Sequence, residues 1–326
     1  MVKARIIATG SYVPEKILTN HDLEKMIDTS DQWILERTGI KERRIARQDQ
    51  ATSDLALEAS KKALKRAGIR AKDLDVIIVA TVSGDMPMPS TACHLQSRLD
   101  AKRIAAFDIN AACSGFIYAL SVADSFITSG KYKRILLVGA EVLSKFTDWE
   151  DRSTCVLFGD GAGAVILEAT SEERGILSTH LYADGSLWDI LNLPGAGSKN
   201  PPSKETLKKK LHFIKMKGNE TFKVAVKALE NLVIETLQKN DISPHQLSLL
   251  IPHQANLRII AATAKRLGLS MDKVVINLDK YGNTSAASVP IALDEAVCTG
   301  RIREGDYIML EAFGGGLTWA SALIKW

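Results

Sequence analysis

Residues 107–117 of the chain read FDINAACSGFI, and this stretch decides the class of fold. An apolar run typical of a β-strand comes first, and a pattern with helical spacing begins directly after Cys113. A thiol at such a strand-to-helix turn faces the positive end of the helix dipole, which favours the nucleophilic thiolate. The alternative is a structural cysteine packed among small residues, because free cysteine is among the most buried residue types. The choice between the two depends on residues further along the chain.

The bulk composition indicates a globular protein rather than one that binds nucleic acid or spans a membrane. The chain has 326 residues, 46% hydrophobic and 25% charged, and its net charge of +4 is too small to indicate a nucleic-acid partner. This length predicts about two domains. No run approaches the roughly 18 apolar residues of a membrane span. We therefore expect neither nucleic acid nor membrane among the partners.

Cysteine usage and the first residues favour a cytoplasmic protein. The four cysteines, at positions 93, 113, 155 and 298, form no CxxC pair and have no histidine at metal-ligand spacing. They predict neither a disulfide framework nor a metal site. The chain opens with MVKARIIATG, a strand running into a glycine turn, without the apolar stretch of a signal peptide.

Strand and helix patterns alternate along the chain, which is typical of an α/β fold. One order of elements occurs twice, and we predict two similar halves, 1–170 and 171–326; the alternative is an ordinary alternation without duplication. The elements of the first half are helix 53–67, strand 76–81, the Cys113 turn with helix 116–127, strand 134–140 and segment 159–168. The elements of the second half are helix 222–237, strand 247–253, strand 274–278, the turn 281–285 with helix 286–297, and strands 307–313 and 320–326. Residues 171–217 are predicted to be irregular.

Two polar residues of the second half are candidates to act with Cys113. His253 ends a buried strand, at the edge where open α/β sheets bind ligands. Asn283 lies in the turn that matches the Cys113 turn. A structural hydrogen-bonding histidine and a left-handed turn asparagine are the alternatives. A site is favoured because the same edge would gather all three side chains.

Two glycine-rich segments bear on the chemistry. The triplet at 314–316 follows a buried strand, so it predicts either a tight turn or backbone N–H groups that reach an oxyanion without a side chain in the way. Residues 159–163 read GDGAG, which lacks the GxGxxG spacing and precedes a strand, so a dinucleotide-binding loop is excluded.

At these motifs the chain resembles the β-ketoacyl-acyl-carrier-protein synthase III family. The resemblance rests on short motifs spread over nearly the whole length: GSYVP (10–14), DQWILERTGI (31–40), AACSGF (111–116), FGDGA (158–162), GNETFK (218–223), PHQAN (252–256), GNTS (282–285) and FGGG (313–316). It implies a thiolase-like duplicated fold, with a central mixed sheet in each half and five layers in the order α-β-α-β-α. It also implies a homodimer.

The resemblance implies a decarboxylating condensation in two stages. Cys113 takes the acetyl group of acetyl-CoA as a thioester, and malonyl-acyl carrier protein then loses CO₂ and attacks it, which gives acetoacetyl-acyl carrier protein. His253 and Asn283 each donate an N–H to the enolate, and the backbone N–H groups of Cys113 and Gly315 bind the oxyanion. The reaction needs CoA thioester substrates but no cofactor and no metal.

The same resemblance assigns residues to substrate binding. Trp33 stacks on the adenine of CoA beside Arg37, while Arg152 and Asn219 line the CoA channel; a core position in a short helix is the alternative for Trp33. Cationic side chains are expected to dock the acidic carrier protein: Lys223, Arg258, Lys265 and Arg266. Lys265 and Arg266 are equally consistent with a solvated helix face.

One position departs from the family pattern. The family commonly has phenylalanine in the segment that reaches the acyl pocket of the partner subunit, and residues 84–90 read GDMPMPS, which places Met88 there. Methionine is more pliant than phenylalanine. Acetyl is therefore the expected primer, with longer or branched acyl groups as alternatives.

Other members of the thiolase superfamily, and two other classes of protein, are the competing hypotheses. Elongating synthases use two histidines and thiolases a second cysteine, which the context of Asn283 disfavours. A plant-type polyketide or quinolone-forming synthase also uses Cys, His and Asn. A non-catalytic binding protein of this fold would be expected to lack Cys113, and a cysteine hydrolase would release no CO₂.

Overall fold

The computed structural model describes residues 2–326, which form two main β-sheets, two small ones and the helices around them. The strands are β1 (Lys3–Tyr12), β2 (Lys16–Thr19), β3 (Glu42–Ile45), β4 (Val76–Ala80), β5 (Ala105–Ile109), β6 (Arg134–Val142), β7 (Asp160–Thr170), β8 (Gly175–Ala183), β9 (Leu191–Asn192), β10 (Lys215–Met216), β11 (Leu247–Pro252), β12 (Tyr307–Gly314) and β13 (Thr318–Lys325). The helices are α1 (Asn20–Glu24), α2 (Asp31–Thr38), α3 (Thr52–Ala67), α4 (Thr91–Arg98), α5 (Gly115–Thr128), α6 (Arg152–Cys155), α7 (Lys204–Lys208), α8 (Gly218–Lys239), α9 (Leu257–Leu267), α10 (Leu278–Tyr281) and α11 (Ser288–Cys298).

Local signals in the sequence place several helix ends. The hydroxyl of Ser30 accepts the backbone N–H of Trp33 at 3.1 Å and starts α2. Helix α3 buries one side, including Leu55, Ala59 and Ala63, against the sheet and stops at Gly68. Gly68 has a φ of +66°, a left-handed conformation that glycine adopts without steric cost.

The four strands of the second main sheet correspond in order to the first four strands of the five-stranded first sheet. The first runs β1-β7-β6-β4-β5 and the second β8-β13-β12-β11. In the first sheet β1 pairs with β7 and β7 with β6 in antiparallel fashion, and β6 pairs with β4 in parallel. In the second sheet β8 pairs with β13 and β13 with β12 in antiparallel fashion, and β12 pairs with β11 in parallel. Both sheets are therefore mixed, and the predicted duplication is present in their topology.

The strand predicted at 274–278 in the second half is not formed. Only an isolated parallel bridge between Leu250 and Val274 stands where β5 pairs with β4 in the first half. The side chain of Gln254 takes the hydrogen bonds that a ladder would use: its Nε2 donates to the carbonyl of Val275 at 3.0 Å, and its Oε1 accepts the backbone N–H of Asn277 at 2.9 Å. The prediction of a strand at 274–278 is therefore wrong.

The prediction that residues 171–217 are irregular is also wrong in part. Strand β8 falls within this segment and forms the edge of the second sheet, paired with β13. Its side chains alternate poorly between polar and apolar, since Ser178, Thr179 and His180 follow one another, and this composition hides the strand in the sequence.

The sheets and helices form five layers. Helices α5 and α11 pack between the two sheets, in a core that draws apolar side chains from both, such as Ile78, Leu120, Val289 and Leu310. Helices α3 and α4 cover the outer face of the first sheet. Helices α8 and α9 cover that of the second, with Val233 and Ile260 in its core. The predicted α-β-α-β-α order is confirmed.

Among residues 2–326, no helix has both the length and the apolar composition needed to cross a membrane.

Candidate active site

The Cys113 turn is held tightly between the two halves. Residues Ala112–Ser114 form a 3₁₀ turn, entered through a positive φ of +47° at Ala112, and α5 follows at once. A Cβ atom on Gly314 would lie 2.5 Å from the backbone nitrogen of Cys113, so only glycine fits there. Strand β12 thus ends directly against the candidate nucleophile.

Burial keeps Cys113 in the thiol form. The residue is only 8% exposed, and loss of solvent raises the pKa of its thiol to about 12, against the opposing effect of the Ser285 hydroxyl. The expectation of a resting thiolate at the helix end is therefore wrong for the free site. The thiol proton has to leave during the reaction, which requires an acceptor nearby.

Hydrogen bonds hold both the backbone and the side chain of His253 in place. Its backbone N–H donates to the carbonyl of Glu311 at 2.8 Å, which fixes it beside β12. Its Nδ1 lies 2.6 Å from the hydroxyl oxygen of Ser288, so Nε2 is the nitrogen left for a substrate or for Cys113. Burial lowers the pKa of His253 to about 3, so the imidazole is neutral at rest, with a proton on one ring nitrogen and a lone pair on the other.

Asn283 is oriented by its own turn. Its backbone N–H donates to the carbonyl of Leu157 at 2.9 Å, and its carbonyl accepts the N–H of Gly159 at 3.0 Å. Its Oδ1 accepts the backbone N–H of Ser285 at 2.8 Å. Because Oδ1 is engaged in this way, the amide presents Nδ2 as a donor.

The three side chains line one cavity of about 830 Å³, together with Gly315. The prediction that one sheet edge gathers Cys113, His253 and Asn283 thus agrees with their placement. The cavity beside them is apolar, with Val82, Leu143, Phe158, Leu191 and Ile214 in its wall. The cavity can therefore hold an acyl group next to a thiol, a neutral imidazole and an amide donor.

The residues expected to bind CoA lie at the cavity or beside it. Trp33, Arg37 and Asn219 line it, whereas Arg152 does not. Arg152 instead packs its guanidinium over the Trp33 ring, 4.9 Å from the centroid, and Arg37 lies 5.6 Å from the same centroid. This partly exposed indole with two cations near its ring provides a flat surface and positive charge, which suit an adenine nucleotide.

The four cations expected to dock a carrier protein separate into two pairs. Lys223 and Arg258 line the cavity, and Arg258 packs over the ring of Phe222 at 4.9 Å. Lys265 and Arg266 lie in the last turn of α9, about 10 Å further along the axis from Arg258, and do not line the cavity.

Met88 lies outside the cavity of its own chain. Its side chain is 82% exposed, and Met86 beside it is 47% exposed. The neighbouring strand β5 is the outer strand of its sheet.

Some site residues were missed at the level of sequence. Ser288 contacts the His253 ring, and the backbone N–H of Gln254 donates to the Ser288 hydroxyl, but a serine in a helix and a glutamine after a histidine carry no distinctive spacing. Leu191, Leu193, Ile214 and Met216 line the cavity from the segment predicted to be irregular. Their apolar character within a loop rich in Pro and Gly was the signal that could have found them.

Two matching mixed sheets with a buried cysteine and histidine at their junction define a thiolase-like condensing acyltransferase. Comparison with known families supports this class: the family 3-Oxoacyl-[acyl-carrier-protein (ACP)] synthase III matches residues 107–185, and its C-terminal counterpart matches residues 237–326. The chain belongs to the β-ketoacyl-[acyl-carrier-protein] synthase III family, the condensing enzymes of fatty-acid synthesis.

Individual relatives agree over the full length. The β-ketoacyl-[acyl-carrier-protein] synthase III of Caldanaerobacter subterraneus is 58% identical over 100% of this chain and 98% of its own. That of Xanthomonas campestris is 57% identical over 100% of this chain and 99% of its own. The crystal structure of 3-oxoacyl-[acyl-carrier-protein] synthase III from Aquifex aeolicus covers 99% of this chain and 100% of its own at 51% identity, with a TM-score of 0.93.

Proposed function

We propose that this condensing enzyme joins acetyl-CoA to malonyl-acyl carrier protein through an acyl-Cys113 intermediate. The observation that carries the proposal is the convergence of Cys113, His253 and Asn283 on one largely apolar cavity. The products are acetoacetyl-acyl carrier protein, CO₂ and CoA, and the reaction initiates fatty-acid synthesis. A carrier-protein substrate is also what the names of the relatives suggest.

The first stage is acetyl transfer to Cys113. Its thiol proton passes to Nε2 of the neutral His253, and the sulfur attacks the thioester carbonyl of acetyl-CoA. The backbone N–H groups of Cys113 and Gly315 donate to the oxyanion, and Gly315 is supported by its place in the cavity wall. The carbon–sulfur bond to CoA breaks, and the CoA thiolate takes the proton from His253.

The second stage is the decarboxylating condensation. Malonyl-acyl carrier protein loses CO₂, and the enolate oxygen accepts hydrogen bonds from Nε2 of His253 and Nδ2 of Asn283. The enolate carbon attacks the acetyl carbonyl, and the bond to the Cys113 sulfur breaks. One proton from solvent restores the thiol.

Substrate binding follows from the charges around the cavity. Trp33, Arg37, Arg152 and Asn219 hold the nucleotide end of CoA, and the two stacked cations of this group suit its phosphates. Lys223 and Arg258, at the cavity, contact the acidic carrier protein, and Lys265 and Arg266 extend this surface along α9. The reaction uses no cofactor and no metal, and the proposed location is the cytoplasm.

A homodimer completes the proposal. Strand β5 is an outer strand of its sheet, and the exposed Met86 and Met88 lie in the loop before α4. A second copy placed against β5 would cover this edge and bring Met88 towards the partner's acyl pocket.

The decisive experiment is mass spectrometry after incubation with acetyl-CoA. We expect a gain of one acetyl group on Cys113 in the wild type and none in Cys113→Ser. Cys298→Ser is the matched control, because Cys298 is an exposed thiol outside the cavity and its loss should leave the adduct in place. A folded wild type that gains no acetyl group would refute the proposal.

Product analysis then tests the second stage. Acetylated enzyme supplied with malonyl-acyl carrier protein should release CO₂ and one acetoacetyl product. If malonyl-CoA were preferred and extended repeatedly, a polyketide-forming synthase would be the better assignment. Release of acetate without CO₂ would indicate a cysteine hydrolase.

A further inference from the structure

Ser288 is the hydroxyl that touches the catalytic imidazole. It is the first residue of α11 and is 1% exposed. Its Oγ lies 2.6 Å from Nδ1 of His253 and also accepts the backbone N–H of Gln254 at 3.4 Å. This buried hydroxyl therefore joins the end of β11 to the helix that follows the Asn283 turn.

Gln254 makes this junction rigid. Its Nε2 donates to the carbonyls of Pro252 at 2.8 Å and Val275 at 3.0 Å, and its Oε1 accepts the N–H groups of Asn277 at 2.9 Å and Leu278 at 3.1 Å. All four hydrogen bonds that a carboxamide can make are filled. The chain on both sides of His253 is thus fixed, and the variable that remains is the direction of the Ser288 O–H bond.

A hydroxyl differs from the usual partner of a catalytic histidine in one respect. A carboxylate only accepts a hydrogen bond, so it fixes the imidazole with its proton on Nδ1. A serine hydroxyl has one donor and two acceptor positions, of which the N–H of Gln254 uses one acceptor. It can therefore accept a proton-bearing Nδ1 or, after rotation, donate to a bare Nδ1.

We propose that Ser288 is a positioning residue that holds either neutral tautomer of His253, so that Nε2 accepts a proton in acetyl transfer and donates one in condensation. The proposal rests on the two-stage function above. It explains how one histidine serves two stages with opposite demands on the same nitrogen. Neutrality of the ring is consistent with its burial, which lowers the pKa of His253 to about 3.

The protons balance in both stages. During acetyl transfer Nδ1–H donates to Ser288, and Nε2 takes the thiol proton and passes it to the departing CoA thiolate. Before condensation, the ring releases the Nδ1 proton to water and gains one from water on Nε2, while the Ser288 O–H turns towards Nδ1. The net charge of the site does not change.

The first test reads the tautomers directly and needs no substrate. In the free wild type with ¹⁵N-labelled histidine, both ring nitrogens of His253 should have ¹⁵N chemical shifts between the value of a protonated nitrogen and that of an unprotonated one. Exchange between the two tautomers gives this averaged value. His253→Gln identifies the signals by their loss. Shifts that place the proton permanently on one nitrogen would overturn the proposal, whatever the enzyme's activity.

The second test compares two buried serines. Ser288→Ala should fix one tautomer of His253 and slow acetylation, decarboxylation or both by at least about tenfold. This loss is a part of the roughly 10²–10⁴-fold rate enhancement that general acid–base catalysis supplies. The KM for acetyl-CoA should not change. Ser321→Ala is the matched control, because Ser321 makes a similar 2.6 Å contact, with Thr236, away from the cavity.

The outcomes separate the two proposals. Equal rates in Ser288→Ala and Ser321→Ala would contradict the role of Ser288. If the wild type itself takes no acetyl group, the proposed function fails, while the NMR result still decides whether Ser288 supports both tautomers. If Ser288→Ala does not fold, the wild-type NMR measurement remains decisive.

Discussion

Cys113 and His253 are both uncharged at rest, because the cavity that gathers them also removes them from water. The sequence located both residues, since a strand end followed by a turn is visible in the pattern of side chains. It gave the wrong ionisation for Cys113, because burial depends on distant segments such as the end of β12 at Gly314. Local sequence therefore identified the groups, and tertiary packing determines their protonation.

The reactivity of Cys113 towards an alkylating agent should follow from its raised pKa. Alkylation by iodoacetamide in the free enzyme should be slower than that of an ordinary exposed thiol and should rise with pH up to about 10 without levelling off, because the thiol pKa lies near 12. Peptide mapping of the alkylated enzyme at several pH values measures this. A plateau that begins below pH 8, as a resting thiolate would give, contradicts the assignment.

Asn283 should matter to one stage only. In Asn283→Ala the enolate loses one of its two donors, so decarboxylation should fall by about 10²–10³. Acetyl transfer does not use the amide, and the rate of acetylation of Cys113 should stay within a few-fold of the wild type. Measuring CO₂ release and acetyl adduct on the same preparation separates the stages; a parallel loss of both would contradict this division of roles.

At the scale of elements, the duplication was visible in the sequence but two strands were assigned wrongly. Strand β5 has continuous pairing with β4, whereas its counterpart at 274–278 is held by the side chain of Gln254. An apolar run cannot reveal whether a backbone ladder or a carboxamide satisfies its hydrogen bonds. Strand β8 was hidden because it carries polar residues at an edge.

Strand β12 carries an unusual acid whose effect on stability can be measured. Glu311 is fully buried, and among residues 2–326 its two carboxylate oxygens make no hydrogen bond of ordinary geometry. Burial raises its pKa to about 8, against the weaker opposing effect of the Thr263 hydroxyl. In the unfolded chain it ionises at its ordinary value of 4.5. The native state therefore binds more protons, and the free energy of unfolding should decrease as pH rises from about 4.5 to 8.

Glu311→Gln should remove this contribution. The free energy of unfolding of the variant minus that of the wild type should be larger at pH 9 than at pH 4, by on the order of a few kcal/mol. Urea unfolding of both proteins across this range gives the difference directly. A difference in stability that is independent of pH would show that Glu311 is charged in the native state.

At the scale of the whole molecule, the sequence indicated an α/β fold with two similar halves through the alternation of apolar strands and helices, and it gave the order of layers only through its resemblance to a known family. It could not give the apolar wall of the cavity, which combines Val82 and Leu143 of the first half with Leu191 and Ile214 of the segment beyond it. Such a surface exists only after the two sheets and the loop between them have come together, so its members have no common spacing.

The exposed Met88 provides the test of assembly. If a second copy covers this side of β5, Met88→Asp places a charge in an apolar interface and should shift the protein from dimer to monomer at micromolar concentration. Met26→Asp is the control, because Met26 is also exposed, at 52%, but lies just after α1, away from β5. Analytical ultracentrifugation reports both masses. A Met88→Asp protein that stays dimeric, or a wild type that is monomeric, would contradict the proposed interface. Measuring acetylation of Cys113 in the same samples would show whether a monomer can carry out acetyl transfer.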